Sequence, residues 1–192
     1  GNPALYDPVY GRYLTDAIGE EAASYVNQHA NDEDPFFLYV ALNATHTPRH
    51  YKQEDYDHFA HITDTRQREL AAMSYAADRA VGMVMDAVEA NNLSNNTVIV
   101  YANDNGGENS GHSNAPWYGY KGGMFEGSIR VPFLIHAPGV APGVFDAPVS
   151  TFDLLPTFVE LAGGDSSQIA TDGVDILPYL QGQAIGDPHE TL

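Results

Sequence analysis

The chain has 192 residues, 43% of them apolar, and carries 26 Asp and Glu against 8 Lys and Arg, for a net charge of −18. That length suffices for one α/β domain with its own core. The acidic excess argues against nucleic acid and anionic membrane partners, no apolar run is long enough to span a bilayer, and the absence of cysteine removes disulfides, thiolate catalysis and thiolate zinc sites.

Residues 1–14 are rich in Tyr, Pro and Gly and read as an irregular lead-in. Thr15 opens a helix, "TDAIGEEAASYVNQHA", with acids in its first turn and Ile18, Ala22, Tyr25 and Val26 on one face. The apolar run Phe36–Leu42 has no polar alternation, which predicts a strand buried on both faces. A loop rich in His, Tyr and Asp follows over 43–62. A long helix is predicted from about Thr65 to Asn91, with Leu70, Met73, Ala77, Val81, Val84 and Val88 as its stripe. Gly82 weakens that helix without ending it. "TVIVYA", residues 97–102, is the next strand. A long loop over 103–130 leads to a third strand, "VPFLIHAP". Residues 151–162 form a helix with Pro156 in its first turn. Residues 163–192 read as a peripheral tail, with "DGVDILPYLQG" as a short docked turn. The order is that of a single α/β domain with a mostly parallel sheet flanked by helices.

In open α/β sheets ligands bind beyond the carboxyl ends of strands. Two polar clusters lie there, "NATHTP" after the first strand and "NDNGG" after the second. Asp104 and Asn105 offer two hard oxygens suited to Ca²⁺ or Mg²⁺, or they make an Asx-turn that ends the strand. Lys121, in the Gly-rich stretch "GYKGG", is a contact for sulfate or phosphate, or a solvated loop lysine. His46 is an anion donor or general acid, or a hydrogen-bonded surface histidine. His112 lies in a loop that must fold over the same rim and is a weaker candidate for substrate contact. His58 and His61 have a spacing that can hold a metal on a helix, yet their acidic neighbours point to a solvated loop. Glu126 and Arg130 are expected to form an internal ion pair that pins the loop.

Taken together these segments resemble the type I sulfatase family of the alkaline-phosphatase-like superfamily. The resemblance runs over residues 13–182 through "YLTDAIGEEAASYV", "DPFFLYVALNATHTP", "SYAADRAVGMVMDAVEANNLSNNTVIVYANDNGG", "NAPWYGYKGGMFEGSIRVPFLIHAPG", "FDLLPTFVELAG" and "DGVDILPYLQG". It implies a partial sulfatase fold and hydrolysis of sulfate esters on a small molecule or glycan. Asp104 and Asn105 would bind a divalent cation, Ca²⁺ or else Mg²⁺. Lys121 and His46 would contact the sulfate, His46 also helping the leaving group. Asn103, Ser128 and Thr45 stand where the family usually has Ser, Gly and Pro. The resemblance also implies a periplasmic or secreted location.

One departure limits the expectation. The family's nucleophile is a formylglycine made from Cys or Ser in a Cys/Ser-x-Pro-x-Arg motif, and the sequence holds no such motif. The family's first strand, with paired aspartate metal ligands, has no counterpart either. The chain therefore reads as the C-terminal part of a sulfatase catalytic domain, with half a metal site, inactive alone and prone to self-association through an exposed sheet edge. A phosphodiesterase or phosphonate monoester hydrolase of the same superfamily, or a non-catalytic anion-binding half-domain, are the alternatives.

Overall fold

The computed structural model describes residues 11–190, so most of the expected lead-in lies outside the described residues. The chain divides into two compact units. One runs up to Thr97 and includes Asn103–Pro132. The other comprises Val98–Ala102 and the chain from Phe133 onward.

The first unit is built on two helices, α1 (Leu14–His29) and α3 (Thr65–Ala90), with the short α2 (Gln53–His58) between them. The expected long helix is present to within a residue. Asp64 caps it by accepting the Gln67 N–H at 2.9 Å, and Gly82 lies within it. Leu70, Met73, Ala77 and Val88 of the expected stripe are buried, together with Ala72, Ala76 and Ala80. These small residues let α1 approach closely. A Cβ on Gly19 of α1 would lie 2.8 Å from Ala80. Thr15 does not cap α1. It is fully buried and donates its hydroxyl to Asn43 Oδ1 at 3.1 Å, tying the helix to the loop after residue 42. The helix α2 falls inside the stretch read as loop.

One guanidinium joins all three helices. Arg79 of α3 donates to both carboxylate oxygens of Asp55 in α2 at 2.8 Å, and to Asp16 Oδ1 of α1 at 3.0 and 2.8 Å. Lys52 adds a bond to Asp16 at 3.1 Å. The carboxylates hold the Arg79 pKa above its ordinary value, the Asp55 hydrogen bonds first among the causes. Asp55 is 3% exposed, so the fork satisfies a charge that water cannot reach.

The run Phe36–Leu42 corrects an expectation. It forms no strand among the described residues. Burial alternates along it, with Phe37 69% and Tyr39 81% exposed, so it is not buried on both faces. The one sheet among the described residues pairs β1 only with β2 and does not include this run.

In the second unit β1 (Ile99–Ala102) pairs with β2 (Phe133–His136). The pairing is antiparallel, Ile99 opposite His136 and Ala102 opposite Phe133, and this corrects the parallel arrangement expected for successive strands. The intervening loop carries no long crossover helix, so the chain returns in the opposite sense. The helix α5 (Leu154–Leu161) follows a 3₁₀ turn, Thr151–Asp153, and has Pro156 in its first turn. Fully buried Asp153 accepts from Ser150 N at 2.7 Å, Val174 N at 2.9 Å and His189 Nε2 at 2.8 Å. Thr157 Oγ1 accepts from Ile176 N, and the short helix α6 (Leu177–Leu180) follows.

Replacing Arg79 with Met removes the only described cation bonded to Asp55. The variant is expected to lose about 3–5 kcal/mol of unfolding free energy in a urea titration, the usual cost of stranding a buried charge. A loss below about 1 kcal/mol would show that the fork is a surface pair.

Candidate functional site

Asp104 and Asn105 follow directly from the end of β1 through Asn103. Asn103 closes the neck of the loop by donating its N–H to Pro132 O at 3.3 Å. Asp104 Oδ1 accepts the Asn105 N–H at 2.9 Å, and Asn105 Nδ2 donates to Gly106 O at 3.0 Å. Each bond reaches only the next residue, so this is a local bend and not the Asx-turn, which needs the N–H two residues on. Asp104 and Asn105 carry the hard oxygens that Ca²⁺ or Mg²⁺ prefers. The Oδ1 of Asn103 is buried without a hydrogen-bond partner. Among the described residues no group of three or more His, Asp or Glu gathers into a fuller metal cage.

Glycine is demanded behind this pair. Gly106 donates its N–H to Ser128 O at 2.9 Å, and a Cβ there would strike the backbone carbonyl of Gly127. Gly127, in the short helix α4 (Glu126–Ile129), donates to Tyr118 O at 2.8 Å. Backbone meets backbone with no space for side chains, which accounts for the spacing of "DNGG" and "EGS".

Asn114 locks the same loop, and the sequence reading missed it. Its amide Nδ2 donates to Gly107 O at 3.0 Å and Gly119 O at 2.9 Å, while its Oδ1 accepts the Gly107 N–H at 3.0 Å. Lys121 donates its own N–H to Gly107 O at 3.0 Å. The lysine backbone is therefore pinned to a residue three positions after Asp104. The Lys121 side chain is exposed and has no ion-pair partner among the described residues, unlike Lys52.

His46 is exposed on the loop after residue 42. Its Nδ1 lies 2.7 Å from Thr47 O. A carbonyl only accepts, so Nδ1 carries the proton and Nε2 is the nitrogen left to exchange one. Arg49, three residues on, joins this loop to the other. Its Nη2 donates to Glu108 Oε1 at 2.6 Å, to Ser110 Oγ at 3.0 Å and to the Ser110 carbonyl. Arg49 also escaped the sequence reading, although a scarce cation directly after "HTP" in an acid-rich chain was a signal.

His112 is not at the rim surface. Its ring lies against Gly107, where a Cβ would come within 2.6 Å of it, and its Nδ1 is buried without a partner. Burial, the largest cause, lowers its pKa below 6.5 despite the nearby Glu108. The Glu126–Arg130 pair forms at 2.9 Å but is exposed on both sides, which corrects the expectation of an internal pair. The Arg130 guanidinium lies over the Trp117 ring at 4.2 Å. His58 stacks on Tyr75 with ring centroids 5.0 Å apart and joins no metal cluster among the described residues.

The sulfatase family model matches residues 1–164. Arylsulfatase A of Bos taurus is 37% identical over 163 residues, covering 82% of this chain and 31% of that protein. Arylsulfatase D of Homo sapiens is 35% identical over 185 residues, covering 90% of this chain and 30% of its own. Among solved structures, Ps i-CgsB in complex with k-i-k-neocarrahexaose superposes with a TM-score of 0.85 at 41% identity, covering 93% of this chain and 40% of that one. This likeness bears out the expected α/β fold of alkaline-phosphatase-like type, present here in part. The chain spans about a third of the length of the curated relatives it matches.

Two predictions follow from the loop. Asn114→Ala takes the side-chain partner from the Gly107 N–H and the Gly119 carbonyl, while Gly107 O keeps the Lys121 N–H, and is expected to cost about 2 kcal/mol in chemical denaturation. A change under about 0.5 kcal/mol would place the lock elsewhere. For His112 the unfolded chain takes up its proton near 6.5 and the folded chain only at lower pH. Between those values the unfolded state binds more protons, so this part of the stability is complete above 6.5 and is lost as pH falls. His112→Gln is expected to flatten the melting temperature against pH between about 7 and 5; an unchanged profile would contradict this.

Proposed function

The chain belongs to the sulfatase family, and on that premise we propose that it carries the cation-binding Asp104–Asn105 pair and the sulfate contacts His46 and Lys121 of a sulfuric ester hydrolase. One observation carries the reading. In a chain of net charge −18, Lys121 has no ion-pair partner among the described residues, and its backbone N–H is bonded to the carbonyl of Gly107, two residues beyond Asn105. A cation held by the two oxygens would add the positive charge that an anionic ester needs in an acidic protein.

The chemistry is cleavage of an S–O bond, with the alcohol oxygen of the ester leaving. Lys121 would hold the sulfate oxygens. His46, with Nδ1–H fixed on Thr47, would deliver a proton from Nε2 to the departing oxygen. The nucleophile and the remaining cation ligands would come from a segment other than these 192 residues, since no Cys/Ser-x-Pro-x-Arg motif is present. The substrate class is a sulfated glycan or aryl sulfate. The bound neocarrahexaose of the 41% identical Ps i-CgsB favours the glycan. A periplasmic or secreted location fits such a substrate.

Alone, the 192-residue chain is expected to show no turnover of an aryl sulfate and to bind Ca²⁺ more weakly than about 10⁻⁶ M by calorimetry. In the parent polypeptide, Lys121→Ala and Asp104→Ala are each expected to lower sulfate-ester hydrolysis by about 10²-fold or more. Hydrolysis by the isolated chain, abolished by Lys121→Ala, would overturn this division of labour. Exposed Tyr39, Tyr101 and Leu134 also favour self-association of the isolated chain. A monomer in light scattering at high concentration would count against that.

A further inference from the structure

Every peptide unit carries a donor and an acceptor, so the backbone bonds of any segment must be accounted for. Over Leu38–Leu42 no backbone N–H or carbonyl is hydrogen-bonded to a described residue. The segment is nonetheless anchored at its end, where Asn43 Oδ1 takes the buried Thr15 hydroxyl at 3.1 Å. Its side chains alternate in exposure. Leu38 and Val40 are half-buried, and with Leu14, Ile18 and Tyr25 of α1 they line an open groove of about 660 Å³. Phe37 and Tyr39 are 69% and 81% exposed.

These features define what fits. Open backbone groups along an extended run take the edge of another extended chain. Alternate residues of that chain would meet the apolar groove and the exposed aromatic face, so it must be apolar at every position. The run Phe36–Leu42 is itself such a sequence, with no charge or polar interruption. The flanks decide the sense of pairing. Asp32, Glu33 and Asp34 precede the run, whereas residues 43–53 hold no acid and include the exposed His46. Parallel pairing of two copies would set acid beside acid, which is unfavourable. Antiparallel pairing sets the acidic flank of each copy beside the acid-free flank of the other.

We propose that Phe36–Leu42 is the surface through which two copies of this chain associate, pairing antiparallel about a twofold axis. The inference rests on the self-association reading above and names its interface. Each copy supplies the donors and acceptors that the other lacks, and Phe37 and Tyr39 of both copies join in one aromatic face. A single strand pair is a small interface, so the dimer exchanges with monomer and depends on concentration.

Sedimentation equilibrium of the 192-residue chain tests this. The mass is expected to rise with concentration from 20.8 kDa toward twice that value, while the amides of Leu38–Leu42 exchange with solvent more slowly. Tyr39→Lys puts a charge on the exposed face. It is expected to weaken association about tenfold or more, with the melting temperature of dilute chain unchanged. Leu134→Lys, on β2 and outside the run, is expected to leave association as it was. The chain has no native cysteine, so a nitroxide can be attached through Asp34→Cys in one copy. It is expected to broaden the amides of residues 43–46 in a ¹⁵N-labelled second copy. A chain that stays monomeric at every concentration overturns the interface and the self-association reading together. Dimers that survive Tyr39→Lys and dissociate in Leu134→Lys overturn the interface and leave self-association standing. Broadening over residues 32–35 in place of 43–46 would overturn the antiparallel sense.

Discussion

The candidate site depends on one planar cation. Arg49 is mostly buried, and its Nη2 donates to oxygens of a loop 59 and 61 residues further along the chain. Guanidinium suits this task because several donors are fixed in one plane and the charge cannot be lost by deprotonation. Through that clasp the segment bearing His46 and the segment bearing Asp104 and Asn105 are held as neighbours. Asn114 then sets the internal shape of the second loop, and Lys121 takes its position from the same Gly107 carbonyl. In the proposed site, side chains of ordinary chemistry would act together because two others fix the backbone beneath them.

The charge distribution gives that arrangement its direction. Most of the chain's few cations are consumed by structure. Arg79 joins three helices, Arg49 joins two loops, Arg68 bonds Asp57 and the Tyr56 carbonyl, and Arg130 pairs with Glu126. Lys121 is left exposed and without an acidic partner among the described residues. An acidic surface repels an anionic ester at long range, so binding must come from short-range contacts in a confined place. A cation at Asp104 and Asn105 together with Lys121 would supply them.

Much of the scaffold was legible because it obeys a period. The 26 residues of α3 repeat their apolar positions every three or four residues, and Asp64 marks the start. The antiparallel sense of β1 and β2 was not legible, since strand direction depends on where the chain returns and not on composition. Phe36–Leu42 has the composition of a buried strand, but a strand is a relation between two segments, and among the described residues no segment pairs with it in a sheet. The helix α2 is too short for periodicity to show. At the site, Asp104, Asn105, Lys121 and His46 stood out through residue type and setting in the chain. Asn114 did not, because a role carried by hydrogen bonds to backbone groups of its own loop leaves no local pattern, and for Arg49 the only signal was its scarcity as a cation. Family resemblance supplied the chemistry that residue types alone left open between an Asx-turn and a cation ligand.

The central claim is that the loops bearing His46, Asp104–Asn105 and Lys121 form one cation-centred rim. Paramagnetic broadening by Mn²⁺, standing in for the proposed cation, tests it most directly on the ¹⁵N-labelled chain. The account predicts loss of amide signal centred on Asp104 and Asn105, extending to Gly106 and Gly107, to the residues around Lys121 and to His46 and Thr47, and reversed by excess Ca²⁺. Broadening centred instead on His58 and His61, or scattered over the acidic surface without focus, would contradict it.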